Sequence, residues 1–139
     1  MIASDTLTIA SRTTAIDDAR RWASGHLAPA GASAEAIWAV ELALTEALAN
    51  VIEHGYGGDE SKHIDLSLEL HIDRLELEIT DFGEPFDPAH YLAPDLDAAE
   101  PGGYGVHLIE QLMDEVDRTP VPDRGTRLRL VKRGWRETL

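Results

Sequence analysis

The stretch that decides the fold is Glu41-Leu42-Ala43-Leu44-Thr45-Glu46-Ala47-Leu48-Ala49-Asn50-Val51-Ile52-Glu53-His54-Gly55-Tyr56. Together with Ile37 and Val40 just upstream, Leu44, Leu48 and Val51 recur at spacings of three and four residues. That spacing predicts a long helix with one core-facing stripe. Glu46 and Asn50 lie one turn apart on the opposite face, where residues four apart are neighbours. Asn is a poor helix former, because its amide competes for backbone hydrogen bonds. The pair is therefore either a solvated surface or an acid and an amide held over a ligand.

On the N-terminal side, Leu7 and Ile9 alternate with polar residues and predict a short first strand. Ala15 to Leu27 reads as a helix, Pro29-Ala30-Gly31 breaks it, and Ser33 is the N-cap of the long helix, with Glu35 in its first turn. That helix is expected to run to about His54, where Gly55, Gly57 and Gly58 end it. Beyond it, Ile64, Leu66, Leu68, Leu70 and Ile72 keep a strict period of two. A turn at Asp73-Arg74 and a second alternation at Leu75, Leu77 and Ile79 complete an antiparallel hairpin.

From Phe82 to Gly103 the periodicity disappears, and Pro85, Pro88, Pro94 and Pro101 exclude a helix or central strand. Val106 to Asp114 reads as a short helix entered through Gly102-Gly103-Tyr104-Gly105. Val116 begins another strand, Pro120 to Gly125 turns, and Thr126, Leu128 and Leu130 mark the last strand. These elements predict an α+β two-layer sandwich, with helices on one face of a mixed, mainly antiparallel sheet. With 139 residues and neither repeats nor a linker, the chain reads as one domain, 1–139.

Composition narrows the function. A hydrophobic content of 43% fits a folded protein, and the lack of Cys removes disulfides and thiolate metal sites. The six His show no zinc-type spacing. A net charge of −14 repels phosphate backbones, so direct nucleic-acid binding is not expected. The start lacks a signal-peptide pattern, and the most apolar segment is interrupted by Glu41 and Glu46. A cytoplasmic protein with no membrane span is the expectation.

Three short motifs follow the long helix. Asp81-Phe82-Gly83 closes the second hairpin strand, where a carboxylate can accept a hydrogen bond from an amino group and a Gly lets a flat ligand approach. Alone, such a sequence is more often a turn than a site. Gly103-Tyr104-Gly105 at a helix start offers free N–H groups and the positive end of a dipole, or else an ordinary hinge. Gly125-Thr126 is a common strand entry. Their order and spacing lift them above their separate readings.

That order resembles the GHKL ATPase superfamily, which includes gyrase, heat-shock chaperones and histidine kinases and shares the Bergerat nucleotide-binding fold. Glu46-x-x-x-Asn50 looks like its N box, Asp81-x-Gly83 the first glycine box, Gly103-x-Gly105 the second and Gly125-Thr126 the last. The short chain, Asn50-x-x-x-His54-Gly55-Tyr56 and Gln111-Leu112-Met113-Asp114-Glu115-Val116 look most like the bacterial anti-sigma factor serine kinases.

The resemblance implies roles. Asn50 would hold the magnesium that bridges the ATP phosphates, and Glu46 would be the general base towards a serine hydroxyl of a protein substrate. Asp81 would receive the adenine amino group, with Gly83 beneath the ring and Thr126 supporting that end. Gly103 and Gly105 would let a lid, approximately 84–102, close on the phosphates. Arg20 matches a position used for partner docking, although with Arg21 beside it a solvated basic turn is the alternative. The chain departs from the superfamily pattern at Pro85, where a second Gly is usual. Residues 82–106 also hold no Lys or Arg, while Glu84, Asp87, Asp95, Asp97 and Glu100 make the lid acidic.

The resulting expectation is an ATP- and magnesium-dependent regulatory kinase. It would phosphorylate a small anti-anti-sigma protein, sequester a sigma factor by partner switching, and form a homodimer. The alternatives are a nucleotide-binding module that sequesters partners without transferring phosphate, and a detached histidine-kinase catalytic domain.

Overall fold

The computed structural model describes residues 1–83, 103–122 and 124–137. The chain runs β1 (Ala3–Ala10), α1 (Thr14–Leu27), α2 (Ala34–Asn50), a π-helical turn (Val51–Gly55), β2 (His63–Leu70), β3 (Arg74–Asp81), α3 (Gly103–Leu112), β4 (Glu115–Pro120) and β5 (Thr126–Arg133). The expected lid, 84–102, lies outside the described residues.

The strands form one sheet in the order β1-β2-β3-β5-β4. The sheet is not mixed, as the sequence suggested: all four ladders among the described residues run antiparallel. In the central ladders Leu66 faces Ile79, Leu68 faces Leu77, Ile79 faces Leu128 and Leu77 faces Leu130. Alternation along each strand sends these side chains to one face, where they are buried together with Ala19, Ala23, Leu27, Val40, Leu44, Leu48 and Ile109 from the helices. The other face carries Asp65, Ser67, Glu69, Glu76, Glu78 and Thr80, half-exposed. One apolar face covered by helices is the two-layer α+β sandwich that the sequence predicts.

α2 packs against both α1 and α3. Ser33 caps it as expected, with extended backbone and a side-chain oxygen accepting from Ala36 N–H at 3.1 Å. Its buried face is broader than the apolar stripe. Ala36, Ala39, Ala43 and Ala47 are buried beside Val40, Leu44 and Leu48, while Ile37 and Val51 are only half-buried and Ile52 is inside. A helix with neighbours on both flanks needs small residues where other backbones come close, and Ala carries too little hydropathy to announce such contacts.

Several boundaries differ from the sequence reading. β1 is eight residues long rather than short, pairing from Ala3 with Leu70 to Ala10 with His63. β2 ends at Leu70, so Ile72 falls in the hairpin turn closed by His71 N–H to Arg74 O at 2.8 Å, and is 78% exposed. α3 begins at Gly103 rather than Val106, so the paired glycines lie within its first turn. Trp135 closes the core. It is fully buried, and its indole N–H donates to His71 O at 2.9 Å.

Candidate functional site

The site is built around the end of β3. Asp81 faces the covered side of the sheet and is 6% exposed. Its Oδ1 accepts from Gly83 N–H at 3.0 Å, and its carboxylate also accepts from the backbone N–H of Thr126, its register partner on β5. Burial pushes its acidity towards the protonated form, and these two hydrogen bonds oppose that without cancelling it. An ionised carboxyl has about four lone-pair positions, so two backbone donors leave acceptor capacity for an amino group. Sequence reasoning placed Asp81, Gly83 and Thr126 at one end of a ligand, and the structure brings these three together.

A pH dependence follows. In the folded chain Asp81 titrates above its ordinary value of 3.8. As pH rises, the unfolded chain therefore loses this proton first, and the folded state carries a penalty that grows until Asp81 has also ionised, then stays constant. Asp81→Asn removes the penalty. The stability difference, variant minus wild type, is expected to rise as pH climbs above the ordinary carboxylate value and to level off once the folded Asp81 has ionised, read by urea unfolding at each pH. A difference that does not change with pH would show that the buried charge is not the cause.

The bend after Asp81 is packed against the end of the long helix. After Asn50 the helix widens into a π turn, in which Tyr56 N–H reaches Val51 O at 2.8 Å. Such turns are rare and occur often at functional sites. The sequence showed only helix to about His54. The π turn brings the Gly55 carbonyl up against Gly83, where a Cβ would stand 2.1 Å from Gly55 O and 2.8 Å from Tyr56 Cδ1. Gly125 is similarly constrained: its φ is +122°, and a Cβ would meet Asp81 O at 2.0 Å. These glycines admit neighbouring backbone, whatever else they admit.

Tyr56 is the residue that the chemistry read from sequence missed. Its hydroxyl donates to His63 O at 2.6 Å and accepts from Phe82 N–H at 2.9 Å. Burial, with the nearby carboxylates of Asp81 and Asp65, pushes the phenol up and outweighs the Phe82 hydrogen bond, so it remains a donor. Its place in Asn50-x-x-x-His54-Gly55-Tyr56 marked it for the resemblance, but no chemical role was read from it.

Glu46 and Asn50 are half-exposed on α2, in the two turns before the π turn. Gly103 and Gly105 open α3, which packs beside α2. Arg20 sits apart on α1, partly exposed and paired with Asp17 one turn earlier, as Arg21 pairs with Asp18. On the uncovered face of the sheet, Glu69, His71 and Glu76 bring one ligand atom each within 4.8 Å of the others. Glu76 is already engaged by Arg129 and Arg74. Although burial pushes its carboxyl up, the guanidinium hydrogen bonds and charges of Arg129 and Arg74 hold it below the ordinary carboxylate range.

Residues 9–132 match the family model described as histidine kinase-like ATPase domain. The chain belongs to that family. Its relatives include the serine-protein kinase RsbW of Oceanobacillus iheyensis, 36% identical over 107 residues, which are 70% of this chain and 67% of that protein. RsbW of Staphylococcus epidermidis is 36% identical over 118 residues, 78% of this chain and 73% of that one. The fold is also that of a crystal structure of the RsbU and RsbW domains of a Mycobacterium tuberculosis protein. That match has a TM-score of 0.68 and 20% identity, covering 94% of this chain and 32% of the other. The chain is thus an RsbW-type member of the histidine kinase-like ATPases, as its motifs suggested.

Proposed function

We propose that this chain is an ATP- and magnesium-dependent protein serine kinase that phosphorylates a small anti-anti-sigma protein and alternately sequesters a sigma factor. Membership in a family of serine-protein kinases supports the reaction class. The observation that carries the nucleotide site is Asp81. It is a buried carboxylate whose backbone partners fix its orientation and leave it able to accept from an adenine amino group.

The residues fit the group that such a site takes. Asp81 would receive adenine, with Gly83 and Thr126 at that end. Asn50 would hold magnesium, and Gly103 and Gly105 would present the first turn of α3 to the phosphates. Magnesium ATP supplies the phosphoryl group and offsets its charge. Glu46 would accept the proton of the substrate serine, one helical turn from Asn50. Arg20 would dock the protein partner once released from Asp17. We place the protein in the cytoplasm as a homodimer of one domain, 1–139. No helix among the described residues is long and apolar enough to cross a membrane.

The nucleotide site is tested by calorimetry. Asp81→Asn presents an amide donor towards the adenine amine, and losing a charge-assisted hydrogen bond costs about 1.5–3 kcal/mol, on the order of ten- to a hundred-fold in affinity. Asn50→Ala is expected to weaken binding chiefly when magnesium is present. Wild-type affinity in both variants would show that the site lies elsewhere.

One observation favours a second reading. Residues 82–106 contain no Lys or Arg, although phosphoryl transfer relies on positive groups over the developing charge. The chain would then bind nucleotide and partner without turnover. Labelled ATP with a candidate anti-anti-sigma protein separates the two: phosphoserine supports the kinase, and binding without label supports the module. Phosphohistidine would indicate a detached histidine-kinase domain instead.

A further inference from the structure

We propose that Tyr56 is a positioning residue that sets the preference of the site for adenine over guanine by holding Asp81 in register. The proposal rests on the nucleotide-binding reading above. The Asp81-Phe82-Gly83 bend is tied in three places. One tie is internal, from Gly83 N–H to Asp81 Oδ1 at 3.0 Å. A second comes from β5, where Thr126 N–H donates to the Asp81 carboxylate, and the third comes from the helix side, where Phe82 N–H donates to the Tyr56 hydroxyl at 2.9 Å.

That hydroxyl is itself anchored, donating to the carbonyl of His63 at the start of β2 at 2.6 Å. The backbone of Tyr56 belongs to the π turn through its N–H to Val51 O. Its ring closes on the position where a Gly83 side chain would stand. One side chain thus joins the end of the long helix, the start of β2 and the bend that carries the carboxylate.

The consequence is specificity. At the position where adenine carries an amino donor, guanine carries a carbonyl acceptor. A carboxylate fixed opposite that position binds the first and repels the second. Discrimination of this kind is large only while the polar group is held in place. Without the Phe82 tie, the carboxylate keeps its hydrogen bonds to Gly83 and Thr126 N–H, but the bend loses its anchor on the helix side and Asp81 is held less firmly against the base. The loss then falls on adenine recognition and not on the phosphate end.

Tyr56→Phe in the full chain keeps the ring and removes only the hydroxyl. With magnesium present, calorimetry is expected to show ATP affinity reduced about tenfold, and GTP affinity changed less than about twofold. The ATP-to-GTP preference therefore narrows by nearly that factor. In an Asp81→Asn background the same substitution is expected to have little effect, because the group it positions is gone.

Equal weakening of ATP and GTP would reveal a general structural role and overturn the proposal. So would a full tenfold loss that persists in the Asp81→Asn background. If wild type binds ATP, Asp81→Asn loses it and Tyr56→Phe matches wild type, the positioning role falls while the nucleotide site stands. If wild type binds no adenine nucleotide, both fall together.

Discussion

Glu46→Gln is expected to slow phosphoryl transfer to serine about 10²- to 10⁴-fold while leaving ATP affinity nearly unchanged. Glutamine keeps the length and shape of the side chain and is as good a helix former, so α2 should not be disturbed. Glu46 is half-exposed, and the buried face of the helix is formed by Ala43, Leu44, Ala47 and Leu48. The swap therefore leaves the core as it was. What it removes is a proton acceptor one turn from Asn50.

Single-turnover formation of phosphoserine gives the rate, and calorimetry gives the affinity. An unchanged rate would exclude Glu46 as the base. Equal losses in rate and binding would place it in the hydration of magnesium instead, because a group acting only in the transition state does not alter ground-state affinity.

The parts of the molecule legible in its sequence are those governed by local rules. Strict alternation from Ile64 to Leu70 and from Leu75 to Ile79 defines a hairpin, and the structure has it. Ser33 reads as an N-cap from residue type and position, and it caps. The same parity argument overextended β2 to Ile72, because a period of two cannot sense that His71 N–H has already turned back to Arg74.

Where contacts are remote, sequence gives little. A π turn at Val51–Gly55 has the composition of continued helix, so the widening that reorients Tyr56 leaves no trace in the hydrophobic pattern. Asp81, Gly83 and Thr126 were legible as a group only through motif order. Their mutual geometry depends on the β3–β5 register, which no local pattern encodes.

The close approach of Gly55 to Gly83 gives the last and sharpest expectation for stability. A methyl group on Gly83 would lie 2.1 Å from the Gly55 carbonyl oxygen and 2.5 Å from its carbon. Both are backbone atoms that cannot rotate aside. Overpacking of this kind is expected to lower the unfolding free energy of Gly83→Ala by about 3 kcal/mol. Gly125→Ala should lose at least as much. It combines a collision at 2.0 Å with a φ of +122° that side chains rarely adopt.

Gly55→Ala is the control from the same interface. Its new methyl would meet Asp81 Oδ1 and Val51 Cγ1 at 3.7 Å, ordinary contact distance, so a loss within about 1 kcal/mol is expected. Urea unfolding of the three variants without nucleotide decides between two reasons for Gly83. If Gly83 served only to admit a flat ligand, Gly83→Ala would fold as stably as wild type and lose nucleotide binding alone. If its backbone must first meet the helix end, stability falls before any ligand is added, and Gly83→Ala separates clearly from Gly55→Ala.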